Sequence, residues 1–163
     1  MKNFSIVLLA GLVSLTLATL SPGTAFGAEP PTQRTLLVFG DSLSAAYGIE
    51  AADGWVNLLA ERLAAENSGY TVANASVSGE TSSGGLARLP AALDEFKPAI
   101  VILELGGNDG LRGLPLGVLK DNLTAMIKIC LAAHAEVLLA GIQLPPNYGP
   151  RYTEPFDALF GEI

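Results

Sequence analysis

Ile100-Val101-Ile102-Leu103, followed by Glu104-Leu105-Gly106-Gly107-Asn108-Asp109-Gly110, decides how this chain folds. Four consecutive apolar residues show no helical spacing. A short apolar run of this kind, closed by glycines, reads as a strand buried on both faces, the type found in parallel sheets. Thr35 to Phe39, closed by Gly40, reads the same way. Tyr70 to Ala75 reads as a second strand, and Val137 to Ala140, closed by Gly141, as a fourth. Between these runs the spacing changes. Trp55, Leu58, Leu59, Arg62 and Leu63 recur at helical intervals, with Asp53 as a candidate cap and Asn67-Ser68-Gly69 as a stop. Leu86, Leu89, Leu93 and Phe96 form a second stripe, with Pro90 suited to a helix start and Pro98 ending it. Leu119, Leu123, Met126, Ile127 and Cys130 form a third. The tail from Pro145 reads as loop and turns helical from Pro155 onward. Strands alternating with helices predict right-handed β-α-β units, a parallel sheet and the α/β class.

In such sheets ligands bind beyond the carboxyl ends of the strands. The three most polar, glycine-rich turns of the chain fall there. They are Gly40-Asp41-Ser42-Leu43-Ser44, Asn74-Ala75-Ser76-Val77-Ser78-Gly79-Glu80-Thr81, and Leu105-Gly106-Gly107-Asn108-Asp109-Gly110. Hydroxyl, amide and glycine groups meeting at one edge suit acyl transfer. A serine supplies a nucleophile, and backbone N–H groups with an asparagine amide stabilise a developing oxyanion. Nucleotide binding is the rival. It lacks support, because neither Gly-x-Gly-x-x-Gly after a strand nor Gly-x-x-x-x-Gly-Lys-Ser/Thr occurs. The Gly-x-Ser-x-Gly elbow of ordinary α/β-hydrolases is also missing.

These blocks resemble those of the SGNH, or GDSL, hydrolases, in particular the periplasmic acyl-CoA thioesterase, arylesterase and lysophospholipase subfamily. Phe39 to Gly48, Asn74 to Thr81 and Glu104 to Gly113 carry the likeness, and Leu144 to Gly149 is similar to a later loop. The resemblance implies a three-layer α/β/α, flavodoxin-like sandwich and a serine hydrolase of esters or thioesters working through an acyl-enzyme. Ser42 is then the nucleophile. Its N–H, that of Gly79 and the Asn108 side chain form the oxyanion hole. Leu111, Arg112 and Leu114 become candidates to border the acyl chain. Asp41 shapes the nucleophile turn, and Asp109 is structural. No metal or organic cofactor is implied, and the partner is a small ester or thioester met by a monomer. Two other readings share the scaffold: a non-catalytic ligand-binding homologue, and a carbohydrate acetyl esterase.

The family's last block, Asp-x-x-His, supplies the base and its orienting acid. It is absent: the one histidine, His134, has Leu131 three residues before it, and Asp157 has Phe160 three residues after. His134 precedes the fourth strand, at the edge opposite Ser42, and reads as a helix-end residue. The expectation is a chain that stops before the last strand, the final helix and the catalytic Asp and His, which would lie beyond Ile163. Such a fragment would have little activity.

Composition agrees with an exported globular enzyme. Of 163 residues, 50% are hydrophobic and 15% charged, which excludes a disordered chain. The net charge of −7 disfavours a nucleic-acid surface. Lys2, the apolar run Phe4 to Leu20, the break at Ser21-Pro22-Gly23 and small Ala25 and Gly27 predict a signal peptide over residues 1–27, cleaved to leave a domain over 28–163 without a membrane anchor. Export implies a periplasmic or secreted protein. One cysteine excludes an internal disulfide, and Cys130 reads as a buried thiol.

Overall fold

The computed structural model describes residues 33–163; the expected signal peptide lies outside them. The inferred strands are present as β1 (Arg34–Gly40), β2 (Tyr70–Asn74), β3 (Ile100–Glu104) and β4 (Glu136–Leu139). All pair in parallel, in the order β2-β1-β3-β4. Register sets Gly40 opposite Glu104, so the first and third glycine-rich blocks leave the sheet side by side.

Alternation along the central strands builds two cores. Leu37, Phe39, Val101 and Leu103 face helices α2 (Ser82–Phe96), α4 (Leu116–Ala132) and α5 (Pro150–Gly161), meeting Leu89, Leu93, Leu123, Met126 and Phe156. Leu36, Val38 and Ile102 face α1 (Trp55–Ala65), meeting Val56, Leu59 and Leu63. Helices thus cover both sheet faces, the expected three-layer α/β/α arrangement. Full burial of side chains such as Phe39 and Leu103 contributes about 1.5–3 kcal/mol each.

Several local expectations shift. The buried stripe of α1 is Val56, Leu59 and Leu63, while Trp55 and Leu58 are exposed. The helix begins one residue before Val56, which turns Trp55 outward. Asp53 does not cap it; the residue before the helix is Gly54, and Asp53 ends a short 3₁₀ turn. Pro90 lies inside α2, because Thr81 starts the helix earlier by accepting a hydrogen bond from the Gly84 N–H at 3.3 Å. Likewise α5 starts at Pro150, so Pro155 is interior. The third glycine-rich block is not only a turn: it forms a short helix, α3 (Gly107–Leu111).

Candidate active site

Gly40 ends β1, and the chain turns sharply after it. The Ala45 N–H donates to the Asp41 carbonyl at 3.0 Å, and that of Tyr47 to the Ser42 carbonyl at 3.2 Å. Buried Asp41 holds this turn from within. Its carboxylate accepts from the Leu43 N–H at 3.0 Å and from the Asn108 amide at 2.9 Å. Burial pushes the Asp41 carboxyl above the ordinary range and nearby Asp109 adds to this, while the two hydrogen bonds oppose the shift. Ser42 sits half-buried at the head of the turn. Among the described residues, nothing engages its hydroxyl or its N–H.

The exit of β2 is tied to the same turn. Gly40 donates its N–H to Ser76 Oγ at 3.1 Å and accepts from the Val77 N–H at 3.0 Å. A tight turn then runs from Val77 to Glu80, with Gly79 at φ +80°. That left-handed conformation is why the position is glycine. No described residue accepts from the Gly79 N–H, while its carbonyl accepts from Arg112 at 3.0 Å.

The third block turns at Gly106, φ +121°, and opens α3 with Asn108 in its first turn. Buried Asp109 fastens α3 to α2 by accepting from the Ser82 N–H at 2.8 Å and its hydroxyl at 2.6 Å. One N–H of the Asn108 amide is committed to Asp41, which leaves the second free to point at a ligand. The three blocks meet in an open cleft of about 350 Å³ lined by Ser42, Tyr47, Ser78, Gly79 and Asn108.

A second recess of about 200 Å³ adjoins it. It shares Ser42 and Asn108 and adds apolar Leu43, Leu111, Ile142 and Leu144. Leu111 therefore stands beside the nucleophile candidate. Arg112 is occupied by the Gly79 carbonyl, and Leu114 lines neither recess, its carbonyl accepting from the Tyr152 hydroxyl at 3.4 Å. Sequence reasoning missed Ile142, whose apolar character looks like ordinary core, and named Leu144 only as the start of a loop similar to the family's. It also missed the Asp41–Asn108 bond, which joins residues 67 positions apart.

His134 is exposed in the left-handed turn after α4, φ 61°, before β4 and so at the amino-terminal edge of the sheet. Ser42 follows the carboxyl end of β1. No base for Ser42 is thus placed by the one histidine. Cys130 is buried, its thiol pushed up to about 11 by desolvation, and inert at neutral pH. Among the described residues there is no His, Cys, Asp or Glu cluster able to hold a metal ion, and no helix is long and apolar enough to cross a membrane.

Known proteins resemble this chain in sequence and fold. The chain is 53% identical to the esterase TesA of Pseudomonas aeruginosa over 157 residues, 96% of this chain and 74% of that protein. It is 47% identical to thioesterase 1/protease 1/lysophospholipase L1 of Escherichia coli K12, over 79% of this chain and 61% of the relative. A crystal structure of TesA superposes with a TM-score of 0.78 at 60% identity, covering 79% of this chain and 72% of that one. The sequence profile of the GDSL-like lipase/acylhydrolase family matches residues 38–162. With those relatives, the shared sheet and the three blocks at its carboxyl edge, the chain belongs to the GDSL-like lipase/acylhydrolase family, the SGNH hydrolases.

Proposed function

We propose that the chain carries the nucleophile and the oxyanion hole of a serine hydrolase acting on carboxylic esters and thioesters of acyl chains. The observation that carries the reading is the shared cleft of Ser42, Gly79 and Asn108, whose hydroxyl and remaining donors have no partner among the described residues. Ser42 Oγ attacks the carbonyl carbon as its proton passes to a base. The carbonyl oxygen becomes an oxyanion, and the Ser42 N–H, the Gly79 N–H and the second Asn108 N–H donate to it. Collapse expels an alcohol or thiol, which takes up the proton. Water then attacks the acyl-enzyme and releases the acid. The apolar recess beside Leu111 takes the acyl chain, while the polar cleft beside Ser78 and Tyr47 takes the leaving group.

The base is an Asp-x-x-His pair supplied from beyond Ile163. The relatives' greater length leaves room for it. Residues 28–163 alone are therefore expected to hydrolyse esters at a small fraction of the full-length rate, since a serine without its base keeps only binding and oxyanion stabilisation. The leader over 1–27 sends the protein across the inner membrane.

The test is p-nitrophenyl ester turnover by the full-length protein. Ser42→Ala should abolish it. Turnover that survives the substitution would move the nucleophile elsewhere. A wild-type protein that binds a long-chain ester without cleaving it would favour the non-catalytic homologue, a reading that rests on the absence of a base near Ser42.

A further inference from the structure

Glu104 ends β3, is 6% exposed, and has no part in the chemistry above. Its Oε2 accepts from the buried Ser44 hydroxyl at 2.6 Å. Its Oε1 is buried and has no hydrogen-bond partner among the described residues. An orphaned carboxyl oxygen in the interior is costly. A leucine or methionine would fill the space without that cost.

Its surroundings show what it does. The carboxyl packs over the α-carbon of Gly40: a Cβ there would stand 2.7 Å from Oε2 and 2.8 Å from Ser44 Oγ. Ser44 is held at a second point, where its carbonyl accepts from the Asn74 side chain at 2.8 Å. Ser44 is thus pinned from β3 through its hydroxyl and from β2 through its carbonyl. Ser42, two residues earlier, is held only at its carbonyl, which accepts from the Tyr47 N–H at 3.2 Å; among the described residues its N–H and hydroxyl have no partner. The residues flanking it are fixed, Leu43 through its N–H to the Asp41 carboxylate and Ser44 through Glu104 and Asn74.

We propose that Glu104 is a positioning residue, which locks Ser44 and thereby aims the Ser42 N–H and hydroxyl into the cleft. Its kinetic consequence rests on the hydrolase reading above; its structural consequence does not. Glutamine keeps an acceptor for Ser44, and leucine does not.

The experiment compares Glu104→Leu, Glu104→Gln and Ser44→Ala in the full-length protein that carries the proposed Asp-x-x-His pair. Glu104→Leu and Ser44→Ala should lower kcat for a p-nitrophenyl ester roughly 10- to 100-fold, below the roughly 10²–10³ of a donor removed outright. KM should stay within about threefold, and Glu104→Gln should restore most of kcat. The Glu104→Leu/Ser44→Ala double variant should lose less than the sum of the two single losses, because both break the Ser44–Glu104 contact, while Glu104→Leu also removes the carboxyl from the Asp41 backbone N–H. Backbone amide NMR gives a readout that needs no turnover. The Ser42 and Leu43 amide signals should move in Ser44→Ala and Glu104→Leu and stay near native in Glu104→Gln. Folded variants with native kcat and native Ser42 signals would overturn the proposal, as would Glu104→Gln as impaired as Glu104→Leu. If Glu104→Leu fails to fold, Ser44→Ala decides alone. A full-length wild-type protein with no turnover would refute the hydrolase reading, and the amide signals would still decide this one.

Discussion

Asp41 and Asn108 show how much of this site depends on single hydrogen bonds. The Asn108 amide can aim one N–H at an oxyanion only because Asp41 holds the other at 2.9 Å. Asn108→Ala removes the donor itself, and kcat on an ester should fall roughly 10²–10³-fold with KM little changed. Asp41→Asn keeps the side-chain shape but can turn an NH₂ toward the Asn108 amide. It forfeits a charge-assisted bond worth about 1.5–3 kcal/mol, so steady-state kinetics should show a loss of about tenfold or more. Native kcat in either variant would remove that residue from the oxyanion apparatus. Ser42 and Asn108 were legible as chemistry because hydroxyl and amide groups stood after inferred strands. Glu104 was not. It stood only as the first residue of the third block, and the fold alone shows that Ser44, 60 positions away, meets its carboxyl.

Elements position these residues by close packing. Gly110 lies on α3, where an added Cβ would stand 2.7 Å from both Leu144 and Phe156. Both side chains are buried and have little room to move. Gly110→Ala should destabilise the protein by about 1–3 kcal/mol, read as a lower denaturant midpoint at unchanged slope. Because α3 carries Asn108, kcat should fall as well. A native midpoint would mean that α3 packs more loosely than described. The strands and the order of elements were readable in advance, because continuous apolar runs such as Ile100 to Leu103 have one stable use. Helix boundaries were less so. Gly84, Gly85 and Pro90 lower the intrinsic helix propensity of α2, yet burial of Leu89 and Leu93 on the sheet overrides it. Gly107 and Gly110 hid α3 in the same way, since its five residues are too few to show a period.

Across the whole molecule, the site's buried carboxyls tie stability to pH. Burial raises both Glu104, from an ordinary 4.5, and Asp41, from 3.8. A raised carboxyl pKa means that the folded state keeps a proton the unfolded chain has released. Its stabilising contribution is complete below the ordinary value and is lost as pH climbs toward the raised one. Glu104→Gln cannot ionise. Its Tm should therefore gain on the wild type as pH rises from about 5 to about 8, with the gap narrowing in acid. Parallel curves would show that Glu104 ionises freely in place. The central claim, that Ser42 carries the acyl group, is tested most directly by acid-quenching the full-length protein during turnover of a p-nitrophenyl ester and mapping its peptides by mass spectrometry. The account predicts the acyl mass on the peptide containing Ser42, and none in Ser42→Ala. Turnover that proceeds with the acyl group on another residue, or on none, would contradict it.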